Sequence, residues 1–586
     1  MQKFLLSINY KTNQISIVEA SNKIDTLDNE KLFLLFNGHL LNSERLINEL
    51  KIEKKDSIIS ILESAYQHWG IDFLKKLEGS FTLVIQDKEK ETLFIAKDKI
   101  GIQPLYFTQR EEIFIVGTHL RDFKKINNIE LIVDPSSLAN YFQFGFVLQP
   151  NSIFKECFKV RSGAYIQYDQ QQNSYKSKHY WKLEDSYLKE KNLITEDEVI
   201  KHADTLLQES IAKNTKNSNF GLSLSGGYDS STLTAIAQAQ SDTKVDTFTI
   251  GFHENAINEA PYAKEIAKHL GTNHHEHYFT AKDALELIPE MSQVYDEPFA
   301  DHASSPTMIT SQLLKKNNID NLIAGDGGDE VFATAEDVHF FERLQKTPAA
   351  FKNLIAKPLC SLDLNHVPYL KSYNNFPKKF NKLMQILSAG NVPQMILARN
   401  TLFLEQELKL QIKGYEQPIL TSFDEIKFNE HSECVDQIIG TYFKTTMIDG
   451  ELVKSYSAMN SNNIRLSTPY LESGLIDYMA KVPSSVKIKN GIKKYILKEI
   501  SYKYIPKELI ERPKCGFDIP FSSWMRKELK DILYSQINKE RLTKDNIFYT
   551  SSILHIRDQF YAGNDIYKYK LWRIFIFQLW YEKIKG

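Results

Sequence analysis

Serine, glycine and aspartate are concentrated at residues 222–231, a pattern typical of a phosphate-binding turn. The run Leu-Ser-Leu-Ser-Gly-Gly-Tyr-Asp-Ser-Ser begins as an apolar strand and ends in the first turn of a predicted helix. Glycines let the backbone approach an anion closely, and a helix start offers it N–H groups and positive dipole potential. The residues predicted to contact phosphates are Ser225, Gly226, Gly227, Asp229, Ser230 and Ser231.

A second glycine-rich turn follows another short apolar segment at residues 321–330. Its sequence, Asn-Leu-Ile-Ala-Gly-Asp-Gly-Gly-Asp-Glu, places Gly325, Asp326 and Asp329 just after the apolar residues. Ligands of parallel sheets bind beyond the carboxyl ends of the strands, where two such turns would meet. We therefore expect Asp229 and Asp329 to bind magnesium, although Asp329 could instead be a helix cap. No lysine follows the first pair of glycines, so the Gly-Lys-Ser/Thr nucleotide loop is excluded.

Strands and helices alternate through residues 198–324, which predicts a parallel, doubly wound α/β sheet. Beyond Phe332 the pattern becomes mainly helical, and this half is expected to cover the carboxyl edge of the sheet. The predicted strands are 220–224, 245–250, 274–279 and 319–324, and the predicted helices are 198–213, 230–239, 258–270, 281–294, 305–317, 384–412, 432–459, 473–481 and 494–503.

These motifs together resemble the synthetase domain of the asparagine synthetase and β-lactam synthetase family. Further matching stretches are 247–252, 258–263, 271–276, 468–472, 494–499 and 512–517. The resemblance implies an ATP-pyrophosphatase fold, similar to the adenine nucleotide α-hydrolases, with ATP and Mg²⁺ as cofactors. It also implies a reaction in which ATP turns a carboxylate into an acyl-adenylate and an amine then forms the amide.

The resemblance also implies roles for individual residues. Lys494 matches the family lysine that contacts the phosphates and the developing oxyanion, with Lys493 as the alternative one residue earlier. Adenine recognition is expected from backbone groups near Leu224, Ile250 and Gly325, where relatives place theirs.

The acceptor side departs from the family pattern. Asp326 and Glu451 lie near the positions of a proton-relaying pair in relatives, so we expect them to take the proton of the attacking amine. The alternative is that Glu451 is a surface residue paired with Lys454 at i,i+3. Arg465 is out of register and Ser467 stands at the usual arginine position, which places free aspartate as a substrate in doubt.

Residues 1–185 read as a sheet-rich α+β domain, with helical periodicity only at 56–69 and 135–144. The stretches 36–38, 77–81 and 98–106 are similar to the amidotransferase domain with an N-terminal nucleophile that hydrolyses glutamine in asparagine synthetases. That domain uses a cysteine exposed after Met removal, but position 2 is Gln2 and the first cysteine is Cys157. We therefore expect an inactive glutaminase domain, a polar linker at 184–197 and an amide-forming domain at 196–586.

Composition excludes several partners and locations. The net charge is −2, which favours neither a nucleic-acid nor a membrane-surface partner, and no apolar run is long enough to span a bilayer. The four cysteines are scattered without metal-site spacing, which fits a reducing cytoplasm.

Several functions in two classes, enzymatic and non-enzymatic, remain open on the sequence alone. The leading expectation is an amide synthetase without a glutamine supply, closing the macrolactam of a lasso-type peptide, with a precursor peptide and its processing protease as partners. The enzymatic alternatives are an ammonia-dependent asparagine synthetase, a β-lactam-forming enzyme or another tailoring amide ligase. The non-enzymatic alternative is a degenerate relative kept as a scaffold.

Overall fold

The N-terminal part folds into two antiparallel sheets that pack face to face. The computed structural model describes residues 3–9, 11–12, 14–21, 24–53, 57–191, 195–253, 258–334, 338–360, 376–429, 432–512 and 519–585. The strands are β1 Phe4–Asn9, β2 Gln14–Ala20, β3 Asp25–Asp28, β4 Leu32–Leu40, β5 Gly79–Asp87, β6 Thr92–Lys97, β7 Tyr106–Arg110, β8 Ile113–Gly117, β9 Cys157–Lys159, β10 Ala164–Asp169 and β11 Ser174–His179. The first sheet has the order β2-β1-β8-β7-β9 and the second β11-β10-β6-β5-β4-β3.

Apolar side chains that alternate along the strands fill the space between these two sheets. Leu6 and Phe114 of the first sheet meet Leu35 and Ile95 of the second in one buried cluster. The opposite face of the second sheet packs against the helices Ser43–Leu50 and Ile58–Trp69. The other helices of this part are Gly70–Lys76, Leu120–Lys125, Pro135–Phe144 and Leu183–Tyr187.

The second part is built on a five-stranded parallel sheet of order β14-β13-β12-β15-β16. Its strands are β12 Phe220–Ser223, β13 Asp246–Phe252, β14 Asn273–Phe279, β15 Asn321–Ile323 and β16 Arg465–Ser467. Because the strands are parallel, the turns after β12 and β15 emerge side by side at one edge. The crossover helices are Glu196–Thr215, Tyr228–Ala239, Ala260–Leu270, Ala281–Val294 and Ser304–Lys316, followed by the short helix Gly328–Val331.

Helices dominate the chain from residue 338 onward. The helix Cys434–Tyr442 continues through a π-helical segment, Phe443–Leu452, into the helix Val453–Ser461 without a break. The remaining helical segments are Val338–Gln345, Ala349–Phe351, Lys352–Ala356, Lys357–Cys360, Phe376–Ser388, Val392–Asn400, Glu405–Lys409, Ser422–Glu425, Pro469–Leu471, Ser473–Met479, Ser484–Lys487, Tyr495–Ser501, Lys507–Ile510, Phe521–Arg526, Lys530–Gln536, Lys539–Asp545, Thr550–Tyr561, Asp565–Tyr567 and Lys568–Lys585.

The two parts share one apolar core. Phe142 of the first part stacks on Phe403 and Phe548 of the second, with ring centroids 5.2 and 5.6 Å apart. Tyr141 is fully buried beside them and donates its hydroxyl to the carbonyl of Arg573 at 2.8 Å. This apolar, buried junction holds the two parts together as one body.

The predicted fold class is confirmed: a sheet-rich first domain precedes a parallel sheet with a helical C-terminal half. The prediction of a polar linker at 184–197 is wrong at its start, because Leu183–Tyr187 is a helix with Leu183 and Tyr187 buried. The helical half also contributes the sheet strand β16, which the sequence did not predict. Within the described ranges, no helix is both long and apolar enough to cross a bilayer.

Candidate active site

The turn after β12 is held in a fixed shape by its own serines. Gly226 has a φ of +78°, a conformation that glycine adopts without strain. Ser230 Oγ accepts a hydrogen bond from the Ser225 backbone N–H at 3.0 Å, and Ser225 Oγ accepts one from the Gly227 N–H at 3.3 Å. The helix Tyr228–Ala239 begins here, and its N-cap residue is Gly227, which has no side chain to cap it. The turn is therefore prearranged for an anion at the helix start.

The turn after β15 packs directly against Asp229. A Cβ on Gly328 would lie 2.2 Å from Asp229 Oδ1, and one on Gly325 would lie 3.2 Å from Asp229 Cβ. Gly327 has a φ of +91° and lies against Leu471. Because the glycines leave this space open, the two turns meet and Asp229 comes close to the acidic residues of the second turn.

Lys494 joins the two predicted metal ligands. Its Nζ lies 2.6 and 2.5 Å from the two carboxylate oxygens of Asp229, and 2.6 Å from Asp329 Oδ1. Burial favours the neutral amine, but Asp229 and Asp329 outweigh it and raise the pKa of Lys494. Two carboxylates thus converge on the ammonium group of Lys494. A pair of carboxylates is also what Mg²⁺ uses as protein ligands when phosphates and water complete its coordination.

These residues line one cleft of about 580 Å³. Within the described part of the chain, no group of three or more His, Cys, Asp or Glu side chains could hold a metal ion by itself. Asp229 and Asp329 supply two carboxylates at one point, which fits a magnesium ion whose other ligands come from a nucleotide and water. The lining residues are Ser223, Ser225, Gly226, Gly227, Tyr228, Asp229, Ser230, Glu259, Gly325, Asp326, Asp329, Thr334, Glu451, Lys454, Lys493, Lys494, Lys498, Ile510 and Arg512.

Three of the predicted nucleotide contacts are placed differently. Leu224 is buried, its N–H donates to the carbonyl of Phe248 at 2.9 Å, and its own carbonyl accepts from Thr249. Ser231 is fully buried within its helix, and Ile250 lies in the middle of β13. Leu224, Ser231 and Ile250 are absent from the described lining of the cleft, whereas Gly325 is part of it.

Arg512 completes the phosphate turn, and the sequence reasoning assigned it no role. Its Nη2 donates to the carbonyl of Ser225 at 3.1 Å, and its Nη1 lies 3.3 Å from Glu259 Oε1. The guanidinium also stacks over the ring of Tyr262 at 4.4 Å from the centroid. The signal that the sequence offered for Arg512 was its position at the start of the matched stretch 512–517. Residues 513–517 of that stretch lie outside the described residues, as do Gln2 and residues 335–337.

Asp326 and Glu451 face the same cleft from the acceptor side. Burial, together with the nearby Glu451 carboxylate, raises the pKa of Asp326 to about 6, although Lys454 opposes this. Ser455 donates its hydroxyl to Asp326 Oδ1 at 3.2 Å. Lys454 Nζ bridges Glu451, at 2.5 Å, and Asp301, at 3.0 Å. Glu451 and Lys454 therefore form the i,i+3 ion pair, and both residues line the cleft.

A second acidic residue in this region was also missed. Burial and, as the next largest cause, the neighbouring Asp329 carboxylate raise the pKa of Glu330 to about 8. Its presence in the matched acidic turn was the only signal that the sequence offered.

Comparison with known proteins identifies families that match both parts of the chain. A model of asparagine synthase matches residues 202–582, and a model of a glutamine amidotransferase domain matches residues 11–181. Asparagine synthetase [glutamine-hydrolyzing] 1 of Bacillus subtilis (strain 168) is 24% identical over 98% of this chain and 89% of its own length. A putative asparagine synthetase [glutamine-hydrolyzing] 2 of Methanocaldococcus jannaschii is 30% identical over 59% of this chain and 68% of its own length.

Among solved structures, a glutamine phosphoribosylpyrophosphate amidotransferase from B. subtilis covers 48% of this chain and 86% of its own. Its sequence identity is 10% and its TM-score is 0.23, so it carries no argument here. The asparagine synthase match, by contrast, spans most of the chain and contains all the candidate catalytic residues. The chain therefore belongs to the asparagine synthase family and is an ATP-dependent carbon–nitrogen ligase.

Proposed function

We propose that this enzyme activates a substrate carboxylate with ATP and joins it to an amine without using glutamine. The observation that carries the proposal is the meeting of Asp229, Asp329 and Lys494 in one cleft with Asp326 and Glu451. A carboxylate oxygen attacks the α-phosphorus of ATP, and pyrophosphate leaves. The amine nitrogen then attacks the acyl carbon, AMP leaves, and the nitrogen gives up a proton to form the amide.

The ATP side of the cleft provides positive charge and backbone donors for the phosphates. Asp229 and Asp329 would hold magnesium, which offsets the charge that builds on the leaving pyrophosphate. Lys494 places its ammonium at the same point, and its raised pKa keeps it charged at neutral pH. Arg512 holds the carbonyl of Ser225 and so keeps the N–H groups of the turn directed toward the phosphates.

On the acceptor side, Asp326 would take the proton from the attacking amine. A carboxyl with a pKa of about 6 is mostly ionised at neutral pH and is still basic enough to accept a proton. Glu451 lies close enough to raise that pKa, while Lys454 fixes the position of Glu451. The pair thus serves as a proton relay that opens onto the cleft.

The N-terminal domain supports a glutamine-independent reaction. Among the described residues, 14–20 and 25–28 form β2 and β3, so strands take up most of the short span before β4. His39, just after the Asn37-Gly38 pair, accepts a hydrogen bond from Arg465 of the synthetase domain at 3.1 Å. Burial and Arg465 lower the pKa of His39 to about 4, so it is neutral and part of the domain junction.

The substrate we favour is a peptide that supplies both the carboxylate and the amine, which would make the product a macrolactam. The departures on the acceptor side support this choice. Arg465 bonds to His39 and to the carbonyl of Asn214, so its guanidinium is engaged at the junction. Ser467, at the usual arginine position, bonds to Asn321 within the sheet. A precursor peptide and its processing protease would then be the partners.

The second candidate is an ammonia-dependent asparagine synthetase, which the names of the relatives favour. A scaffold without activity is disfavoured, because folding alone does not require Asp229, Asp329 and Lys494 to converge in an open cleft.

The test is ATP–pyrophosphate exchange by the full-length protein with MgATP. We would compare L-aspartate with a peptide that carries an acidic side chain and a free α-amine, each with ammonium chloride or glutamine. Exchange with the peptide, a product lighter by one water, and no release of glutamate from glutamine are expected. Exchange with L-aspartate alone would select the second candidate, and steady glutamate release would overturn the glutamine-independent reaction.

A further inference from the structure

The segment that carries Glu451 is π-helical and lies between the two domains. Phe443–Leu452 has the wider π-helical turn, a conformation that is uncommon and concentrates at functional sites. Glu451 lines the synthetase cleft on one side of this segment. Residues of the N-terminal domain contact its other side.

Asp449, two residues before Glu451, contacts the N-terminal domain. The residue is 4% exposed, and its Oδ2 accepts a hydrogen bond from the backbone N–H of Gln149 at 2.9 Å. Lys159 Nζ lies 3.7 Å from Asp449 Oδ1 and 2.8 Å from Oε2 of Glu297. Burial raises the pKa of Asp449, while Lys159, the Gln149 N–H and Lys97, all from the N-terminal domain, oppose this in that order.

Two more contacts fix the segment in place. A Cβ on Gly450 would lie 2.9 Å from Cε1 of Phe146, so the backbone next to Glu451 rests on a ring of the N-terminal domain. At the start of the segment, Lys444 Nζ pairs with Glu184 at 2.5 Å. The N-terminal domain therefore contacts the segment at both ends while Glu451 remains in the cleft.

We propose that the N-terminal domain, having lost its glutaminase chemistry, positions the acceptor-side carboxylate Glu451 of the synthetase domain. Asp449 and Lys159 are the positioning residues: they hold the π-helical turn so that Glu451 meets Lys454 and faces Asp326. The inference rests on the proposed role of Glu451 in proton transfer. It gives the N-terminal domain a part in amide formation that requires no ligand of its own.

The test measures amide hydrogen exchange of the full-length protein by mass spectrometry. Lys159→Met and Asp449→Asn are expected to speed exchange in residues 443–452 by about tenfold or more, because the turn opens locally. Exchange in the phosphate turn, residues 225–231, is expected to stay as in the wild type. Lys159→Arg keeps the charge and should restore the protection, which a loss of packing alone would not explain.

A matched control is Arg121→Met, which breaks the half-buried ion pair of Arg121 with Asp296 across the same junction. It should leave exchange in residues 443–452 unchanged. Asp449→Asn keeps the shape and an acceptor for the Gln149 N–H, so it is the variant to use if Lys159→Met does not fold. Wild-type exchange in residues 443–452 of folded Asp449→Asn overturns the inference.

The two proposals fail in different ways. Glu451→Gln should leave exchange in residues 443–452 unchanged, because Glu451 faces the cleft. If Glu451→Gln still makes amide while Asp449→Asn loosens the segment, the positioning is correct and the role of Glu451 in proton transfer is wrong.

Discussion

Lys494 is the residue at which the ATP-side chemistry can be tested most sharply. It bridges Asp229 and Asp329, whereas Lys493 lines the same cleft one residue earlier. Lys494→Met should lower the rate of ATP–pyrophosphate exchange by about a hundredfold or more, as expected when a fixed charge at developing negative charge is lost. Lys493→Met is the matched control and should cost less than tenfold. The reverse order of effects would move the active-site lysine to position 493.

Glu451 separates the two half-reactions. Glu451→Gln should keep carboxylate-dependent pyrophosphate exchange, because Asp229, Asp329 and Lys494 are untouched, and should lose most of the amide product. In the wild type, amide formation should fall as the pH drops through about 6, where Asp326 is protonated. Without the Glu451 charge the pKa of Asp326 is lower, so this acid limb should move to lower pH. Product yields of Glu451→Gln that equal the wild type at every pH would show that Glu451 takes no part in proton transfer.

The sequence predicted the ATP-side residues because chemistry and spacing coincide in short runs. Asp229 and Asp329 each follow a strand, so their meeting could be expected from a parallel sheet. Arg512 was missed because its contact is with a residue distant in the chain, the carbonyl of Ser225, and Glu330 because its raised pKa depends first on burial. No local pattern shows such contacts.

At the scale of elements, the ATP side of the cleft depends on direct contact between the two glycine-rich turns. The space between Gly328 and Asp229 is too small for a Cβ. Gly328→Ala should therefore displace Asp229 and reduce pyrophosphate exchange at least tenfold, with little change in melting temperature. Gly474→Ala is the control: it also lies in a helix, but nothing lies within 4 Å of its Cβ position, and it should stabilise the protein by about 0.5–1 kcal/mol. Wild-type exchange in Gly328→Ala would show that the turns can separate without loss of function.

Three elements that the sequence did not predict lack a local sequence signal. β16 has only three residues and pairs with β15 across more than a hundred positions of chain, so nothing local marks it as a strand. β11 reads Ser-Tyr-Lys-Ser-Lys-His and is an edge strand held by β10, without the apolar alternation that reveals a buried one. The helix Leu183–Tyr187 is too short for periodicity, and burial against the synthetase domain stabilises it. The longer strands and the crossover helices, by contrast, could be predicted from the periodicity of their own apolar residues.

At the scale of the whole molecule, the shared core predicts that the two domains unfold together. Phe142 is buried between Phe403 and Phe548, and ion pairs such as Arg121–Asp296 and Lys159–Glu297 cross the same junction. Separating the domains would expose this apolar surface and leave buried charges without partners, so neither domain should remain folded while the other melts. Differential scanning calorimetry of the full chain should show one transition.

Phe142→Ala tests that coupling directly. Loss of a buried phenyl ring costs about 3–5 kcal/mol, and here the ring removed belongs to the junction itself. The variant should melt at a lower temperature, and its transition should broaden or split because the domains are less tightly coupled. Phe107→Ala is the control, since Phe107 stacks on Phe114 and contacts the ring of Phe158 within the N-terminal domain. It should lower the melting temperature while the single transition is kept. Two separate transitions in the wild-type protein would mean that the junction is too weak to make the molecule one cooperative unit, and would also weaken the case that the N-terminal domain holds the Glu451 segment in place.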